Sequence, residues 1–327
     1  HGVAMLTLAA VLPLGLLRQN RFLASAPLLS ALGMLWLLPS PPASVLSLKT
    51  VRLVQPNAPQ DQKWHPEYSW GFVRRQMSYT SAQPRPDLIV WPETAVPQLL
   101  NNADETLAAI SVAADGVPVI TGIQRRQDKR YFNSLVVLDA LGVPSLTYDK
   151  THLVPFGEYV PFGNVLAQFG ITGFASQSGS GYSAGPGPQI LELDIGKALP
   201  LICYEAVFPH LLNAAPKRAD MLIQITNDAW FGTYSGPYQH LVQARMRAAE
   251  QGLPMIRVAN TGVSAMIDGY GRIRESLPLG EAGFVDAQLP KPLAPTLYSR
   301  TGDWPVFVLL CLLAGLVVVR NRRFVII

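Results

Sequence analysis

The chain has 327 residues, enough for one large domain or two small ones, and 49% of them are hydrophobic, near the top of the globular range. Its 26 basic and 22 acidic side chains give a formal net charge of +4. Arg18, Arg21, Arg320, Arg322 and Arg323 flank apolar ends, and the other 21 basic residues face 22 acidic ones between Asp61 and Asp303, so no basic nucleic-acid face and no nucleic-acid partner is expected.

In chain order, residues 3–17 and 22–39 are apolar, as are 304–319. About 20 residues of helix span a bilayer, so two transmembrane helices are expected within 1–40 and a third over 304–320. The chain opens at His1 and enters apolar sequence without a basic leader, unlike a secretory signal, and further membrane helices are expected before it. Short loops rich in arginine stay in the cytoplasm. Arg18 and Arg21 place the first loop inside, the arginines of the last turn place the 321–327 tail inside, and the domain between the membrane segments then lies outside.

PSPPASVLS over 39–47 reads as a linker, assigned to 41–49, and a domain over 50–303 follows. Apolar strands are expected at 51–55, 87–91, 117–122, 134–139, 199–203, 221–226, 255–260 and 264–268, with helices at 102–114 and 238–251. Strands alternating with helices predict an α/β sheet domain. The glycine-rich stretch over 178–187 precedes a strand and reads as a mobile loop rather than a phosphate cradle. The five histidines, His1, His65, His152, His210 and His240, show no metal-ligand spacing, and no metal or cofactor is expected. No GxSxG elbow is present.

Three reactive side chains fall at the ends of extended stretches. In LPLICYEAVFP a strand delivers Cys203 to a turn, with a helix expected over 205–212 whose first amides can receive negative charge. In DLIVWPETAVP, Pro92 stops ladder pairing and Glu93 projects from the strand end. In YDKTHLVPFGEYVPF, Lys150 ends an extended stretch and Glu158 sits in a loop punctuated by proline and glycine. Taken singly, Cys203 reads more readily as a buried structural cysteine and Lys150 as a solvated surface lysine, while Glu93 reads as readily as a solvated loop glutamate. Cys311 lies in the last apolar segment, which leaves Cys203 as the lone thiol of the outside domain.

The segments WPET, KTHLVPFGEYVP, ICYEAVFP and NDAWFG occur in that order, with 57 positions from Glu93 to Lys150 and 53 from Lys150 to Cys203. In these the sequence resembles the nitrilase superfamily and, within it, the bacterial apolipoprotein N-acyltransferases. The resemblance implies a four-layer αββα sandwich flanked by transmembrane helices, and a catalytic set matched by Glu93, Lys150 and Cys203. It further implies supporting roles for Trp64, Glu158, Tyr204 and Glu205. The family carries more membrane helices than this chain, which therefore looks like a fragment.

Acyl transfer assigns a role to each residue. Glu93 serves as general base and then acid, Cys203 as nucleophile, and Lys150 with the Tyr204 N–H as the stabiliser of the oxyanion. The resemblance implies a phospholipid donor such as phosphatidylethanolamine, an acyl thioester on Cys203, and transfer to the α-amino group of the diacylglyceryl cysteine of an apolipoprotein. It also implies residence in the bacterial inner membrane with the catalytic domain on the periplasmic side. The aromatic residues Phe156, Tyr159, Phe162, Phe169, Trp230, Phe231, Tyr234 and Tyr238 lie in two loops that either form lipid-facing lids or pack into the core. The competing expectations are a membrane-anchored amidase or nitrilase using the same triad on a soluble C–N bond, and a non-catalytic scaffold of the same fold.

Overall fold

The computed structural model describes residues 42–159 and 181–322, with side chains up to 315. Chain contacts separate His1–Ala43 from Ser44–Ile327, and every element described belongs to the second unit. The apolar segments at 3–17 and 22–39 lie outside the described residues, as do Phe162 and Phe169.

Two six-stranded sheets form the centre. One has the order β12-β1-β2-β3-β4-β5 and the other β11-β10-β9-β8-β7-β6. The first is built from β1 (Leu46–Gln55), β2 (Leu88–Val90), β3 (Val119–Gln127), β4 (Arg130–Leu138), β5 (Pro144–Asp149) and β12 (Gly283–Pro290). The second comprises β6 (Leu191–Leu193), β7 (Gly196–Ile202), β8 (Met221–Thr226), β9 (Met255–Ala259), β10 (Ser264–Ile267) and β11 (Ile273–Leu277). β1, β2 and β3 are parallel, and so are β7, β8 and β9. Parallel strands covered on both faces read as continuous apolar runs, which is why LIV of β2 and MLIQIT of β8 are wholly buried.

Side-chain alternation divides each sheet between two interiors. Val51, Leu53, Leu88, Val90, Ile202, Ile223 and Ile256 point into the core between the sheets. The outer face of the first sheet, with Val54, Ile89 and Trp91, packs on α1 (Pro66–Thr80) and α2 (Asp104–Ala114) through Val73, Leu107 and Ile110. The outer face of the second, with Leu199, Leu201 and Leu222, packs on α3 (Pro209–Asn213) and α4 (Gly236–Gln251) through Leu212, Leu241, Ala244 and Ala248. The result is the four-layer αββα arrangement.

The expected strands and the two expected helices are present with ends shifted by a few residues, and β1 starts at Leu46, within the stretch read as linker. In place of one helix over 205–212 there is a 3-10 turn, Cys203–Val207, followed by the short α3; Pro209 lacks the N–H that would continue the turn. Beyond α5 (Leu297–Thr301), α6 (Trp304–Arg322) covers the third apolar segment and exposes Trp304, Phe307, Leu312 and Leu313. Among the described residues no helix is long and apolar enough to cross a membrane.

Candidate active site

The ends of β2, β5, β7 and β8 meet at one place. After β2 the chain runs through Trp91, whose buried indole donates to Thr80 Oγ1 at 2.9 Å, and Pro92 to Glu93. Gly122 of β3 permits this close approach. A Cβ on Gly122 would stand 2.6 Å from Glu93 Cα and 2.4 Å from Thr94 N, well inside van der Waals contact.

Lys150 directly follows β5, its amide donating to Asn133 O of β4 at 2.9 Å. Its side chain is 1% exposed, with Nζ 2.8 Å from Glu158 Oε2, 2.9 Å from Glu158 Oε1 and 3.7 Å from Glu93 Oε1. Asn133 Nδ2 donates to Glu93 Oε1 at 2.7 Å and to Glu158 Oε1 at 3.1 Å. The backbone N–H of Asn227, just past β8, donates to Glu93 Oε2 at 2.8 Å. Both oxygens of Glu93 are thus held, and one buried lysine serves two carboxylates.

Cys203 opens the 3-10 turn after β7 at φ +51° and is 6% exposed. A non-glycine residue in the left-handed region costs about 1–3 kcal/mol, so its neighbours must hold it there. Glu205 is one of them. It is fully buried and accepts from Ile202 N at 2.7 Å through one oxygen. Its other oxygen accepts from Thr151 N at 2.7 Å, Thr151 Oγ1 at 2.9 Å, His152 N at 3.1 Å and Tyr148 OH at 2.9 Å. Glu205 therefore ties the Cys203 turn to the Lys150 segment. Its burial raises its pKa despite these bonds.

Electrostatics set the resting protonation. Burial, then the charge of Glu93, pushes the Cys203 thiol up to about 12, with Lys150 acting the other way. At neutral pH the thiolate is then rarer than about one part in 10⁴, so attack requires a base beside the sulfur. Burial alone would lower the pKa of Lys150, but Glu158, Glu93 and Cys203 outweigh it and keep the lysine above its ordinary value.

A cavity of about 650 Å³ opens onto these groups, a size usual for ligand sites. Glu93, Lys150, Glu158, Cys203 and Tyr204 line it, together with Trp64, Trp230 and Phe231. Trp230 is 55% exposed, and Tyr234 and Tyr238 are exposed nearby in sequence. Phe156 is equally exposed, but the cavity is lined by its neighbours Pro155 and Gly157 rather than by it. Of the catalytic and supporting residues singled out by sequence, Glu93, Lys150, Cys203, Trp64, Glu158, Tyr204 and Trp230 line the cavity, whereas Glu205 and Phe156 do not, and of the other aromatic residues expected at its mouth Phe231 lines it while Tyr159, Tyr234 and Tyr238 do not. Among the described residues no group of three or more His, Cys, Asp and Glu is placed to hold a metal ion.

Sequence reasoning passed over Asn133 and Lys63. Lys63 is buried and donates from Nζ to Glu93 O at 2.8 Å and Thr94 Oγ1 at 2.7 Å. Burial lowers its pKa to about 8, opposed by Glu93 and Cys203. A lysine beside the expected Trp64 was the available signal, and only the fold shows it turned inward.

A thiol, a fixed carboxylate and a buried cation converge on one cavity at the ends of strands from two sheets that are covered by helices. Residues 50–296 match the carbon-nitrogen hydrolase family model, and the chain belongs to that family. It is similar to proteins named apolipoprotein N-acyltransferase from Rhodopseudomonas palustris, at 40% identity over 86% of this chain and 55% of that one, and from Brucella melitensis, at 42% over 84% and 54%. The chain thus spans about half the length of these curated relatives. In structure it resembles an amidase from Nesterenkonia sp., with a TM-score of 0.59 and 17% identity over 82% of this chain and 98% of that one. It also resembles a carbon-nitrogen hydrolase from Helicobacter pylori G27, with a TM-score of 0.56 and 17% identity over 74% and 89%. At these identities the structural likeness concerns the fold.

Proposed function

We propose that the chain is the catalytic part of an acyltransferase that moves a fatty acyl group from a phospholipid, through a thioester on Cys203, to the N-terminal amine of a diacylglyceryl cysteine on an apolipoprotein. The observation that carries this reading is the convergence of Glu93, Lys150 and Cys203 on one cavity whose wall continues into the half-exposed aromatic residues Trp230 and Phe231. The names of relatives 40–44% identical support the acyl-transfer chemistry and the lipoprotein acceptor. Anchoring in a bacterial inner membrane by the apolar segments near the two ends, with the catalytic domain on the periplasmic side, belongs to the same proposal.

In the proposed first half-reaction Glu93 takes the Cys203 proton as sulfur attacks the donor ester carbonyl. Negative charge grows on the carbonyl oxygen, where the Lys150 ammonium and the Tyr204 N–H, one of the first amides of the 3-10 turn and without an acceptor inside it, stabilise it. The C–O bond then breaks, and Glu93 returns the proton to the leaving alcohol, giving lysophospholipid. In the second half the acceptor amine gives its proton to Glu93 as nitrogen attacks the thioester carbonyl, and the departing sulfur regains a proton as the amide forms. Glu158 holds Lys150 in place, and Asn133 and Asn227 N aim Glu93.

The test is to supply phosphatidylethanolamine vesicles and a diacylglyceryl-cysteine peptide and to read the products by mass spectrometry. N-acyl peptide with an equal amount of lysophospholipid is expected. Free fatty acid in place of N-acyl peptide would instead favour an amidase-like hydrolase with water as the acceptor.

A further inference from the structure

Beneath Cys203, on the side away from the cavity, lies a buried polar cluster that the reaction above does not use. Asp228, Arg257, Gln224 and Thr226 are fully buried, and His240 nearly so. Gln224 comes from β8, Arg257 from β9, His240 from α4 and Asp228 from the 3-10 turn after β8.

The hydrogen bonds of this cluster run in one direction. Arg257 donates to Asp228 Oδ2 and to Gln224 Oε1, each at 2.6 Å. Burial would raise the Asp228 pKa, but Arg257 and His240 overcome it and hold the carboxyl down at about 2, so this oxygen pair only accepts. His240 Nδ1, 2.8 Å from Asp228 Oδ1, must then carry its hydrogen there. His240 Nε2 stands 3.1 Å from Gln224 Nε2. With its oxygen committed to Arg257, the Gln224 amide has one orientation, and its Nε2 donates to the Cys203 carbonyl at 3.0 Å. His240 Nε2 also stands 3.1 Å from that carbonyl.

A trans peptide points its C=O and N–H in opposite directions. Fixing the carbonyl of Cys203 therefore fixes the N–H of Tyr204, which faces away from Gln224. We propose that Gln224, oriented by Arg257, is a positioning residue that clamps the Cys203 carbonyl, holding the left-handed nucleophile turn and aiming the Tyr204 N–H at the forming oxyanion. This rests on Cys203 being the nucleophile, and it adds the device that presets the oxyanion donor.

The clamp makes two reactions of one thiol respond differently. Alkylation by iodoacetamide displaces iodide at a saturated carbon, builds no oxyanion and needs only sulfur and base. Acylation by p-nitrophenyl butyrate builds an oxyanion and needs the donor in place. Gln224→Met keeps the length and removes the N–H. His240→Asn keeps a donor for Asp228 and removes the ring nitrogen that stands beside both Gln224 Nε2 and the Cys203 carbonyl.

In the 327-residue chain, Gln224→Met is expected to lower kcat for the ester about 10- to 100-fold with KM changed less than about twofold, because a misaimed donor forfeits much of its effect. His240→Asn is expected to lose less, and the double variant no more than Gln224→Met alone. Iodoacetamide alkylation of Cys203 should stay within about threefold of wild type in all three. Equal losses of alkylation and ester turnover would show a merely structural role, and unchanged ester turnover in Gln224→Met would show no clamp. Either result overturns the inference while wild-type Cys203 still acylates. Failure of the wild-type thiol to acylate overturns the nucleophile reading and the inference with it.

Discussion

Glu158→Gln tests whether Lys150 is kept as a buried cation by shared carboxylates. The amide preserves shape and can still accept from Val154 N, now 2.9 Å from Glu158 Oε2, but it removes the negative charge 2.8 Å from Lys150 Nζ. Opposite charges about 4 Å apart attract by about 4 kcal/mol at an effective dielectric near 20, and breaking a buried pair costs about 3–5 kcal/mol. Glu93 remains 3.7 Å from the ammonium and retains part of this, so a loss of about 3 kcal/mol is expected, or a fall in Tm of roughly 6–12 °C for a domain of this size. The pH dependence has a definite sign. In the wild type the folded Lys150 pKa lies above 10.5, so its contribution is complete below the unfolded lysine value and is lost only as pH rises through the still higher folded value. In the variant, burial acts with one carboxylate fewer against it, and Lys150 gives up its proton at lower pH. Thermal melts and p-nitrophenyl butyrate turnover from about pH 7 to pH 10 should show a destabilised protein with a new alkaline fall in kcat. A Tm within about 2 °C of wild type and an unchanged pH profile would refute the shared-cation argument.

Three further outcomes are expected. Arg52→Met should cost about 3–5 kcal/mol in urea unfolding, because Arg52 is fully buried, pairs with Asp286 at 2.6 Å and donates to four carbonyls at the end of α1 and beyond; a loss below about 1 kcal/mol would contradict this. Trp230→Ser should slow acylation from phospholipid vesicles about tenfold more than acylation from p-nitrophenyl butyrate, and equal losses in a well-folded variant would count against a lipid-facing aromatic mouth. Cysteine at position 101, where Asn101 is exposed, should react with an impermeant thiol reagent outside intact cells while cysteine at position 20 should not, and labelling at 20 would reverse the proposed topology.

The strand ends were legible because LIV before Trp91, LPLI before Cys203 and MLIQIT before Asn227 are predominantly apolar stretches with a reactive or strongly polar residue at or just beyond their ends. The reactive residues sit where those runs stop. α1 was not legible, since its buried face carries Ser69, Gln76 and Thr80 beside a single Val73, and apolar periodicity cannot mark a face built from polar side chains. β11 is largely exposed and lacks the alternation that marks a half-buried strand. Glu93, Lys150 and Cys203 could be named from their wording, but their partners could not. Asn133, Lys63 and the Gln224 cluster reach the site through tertiary contacts, and Gln224, His240 and Arg257 lie on three different elements. The arginines inside VRLVQ and MIRVA were the visible sign of buried polar networks, because a charge in a buried strand requires a partner.

The covalent step at Cys203 is the central claim, and intact-mass measurement of the chain after incubation with phosphatidylethanolamine vesicles, without an acceptor, tests it most directly. One acyl chain is expected on the wild type and on Cys311→Ala, released by hydroxylamine as a thioester is, and none on Cys203→Ala. Acylation of Cys203→Ala, or transfer to the lipopeptide by that variant at the wild-type rate, would contradict the mechanism.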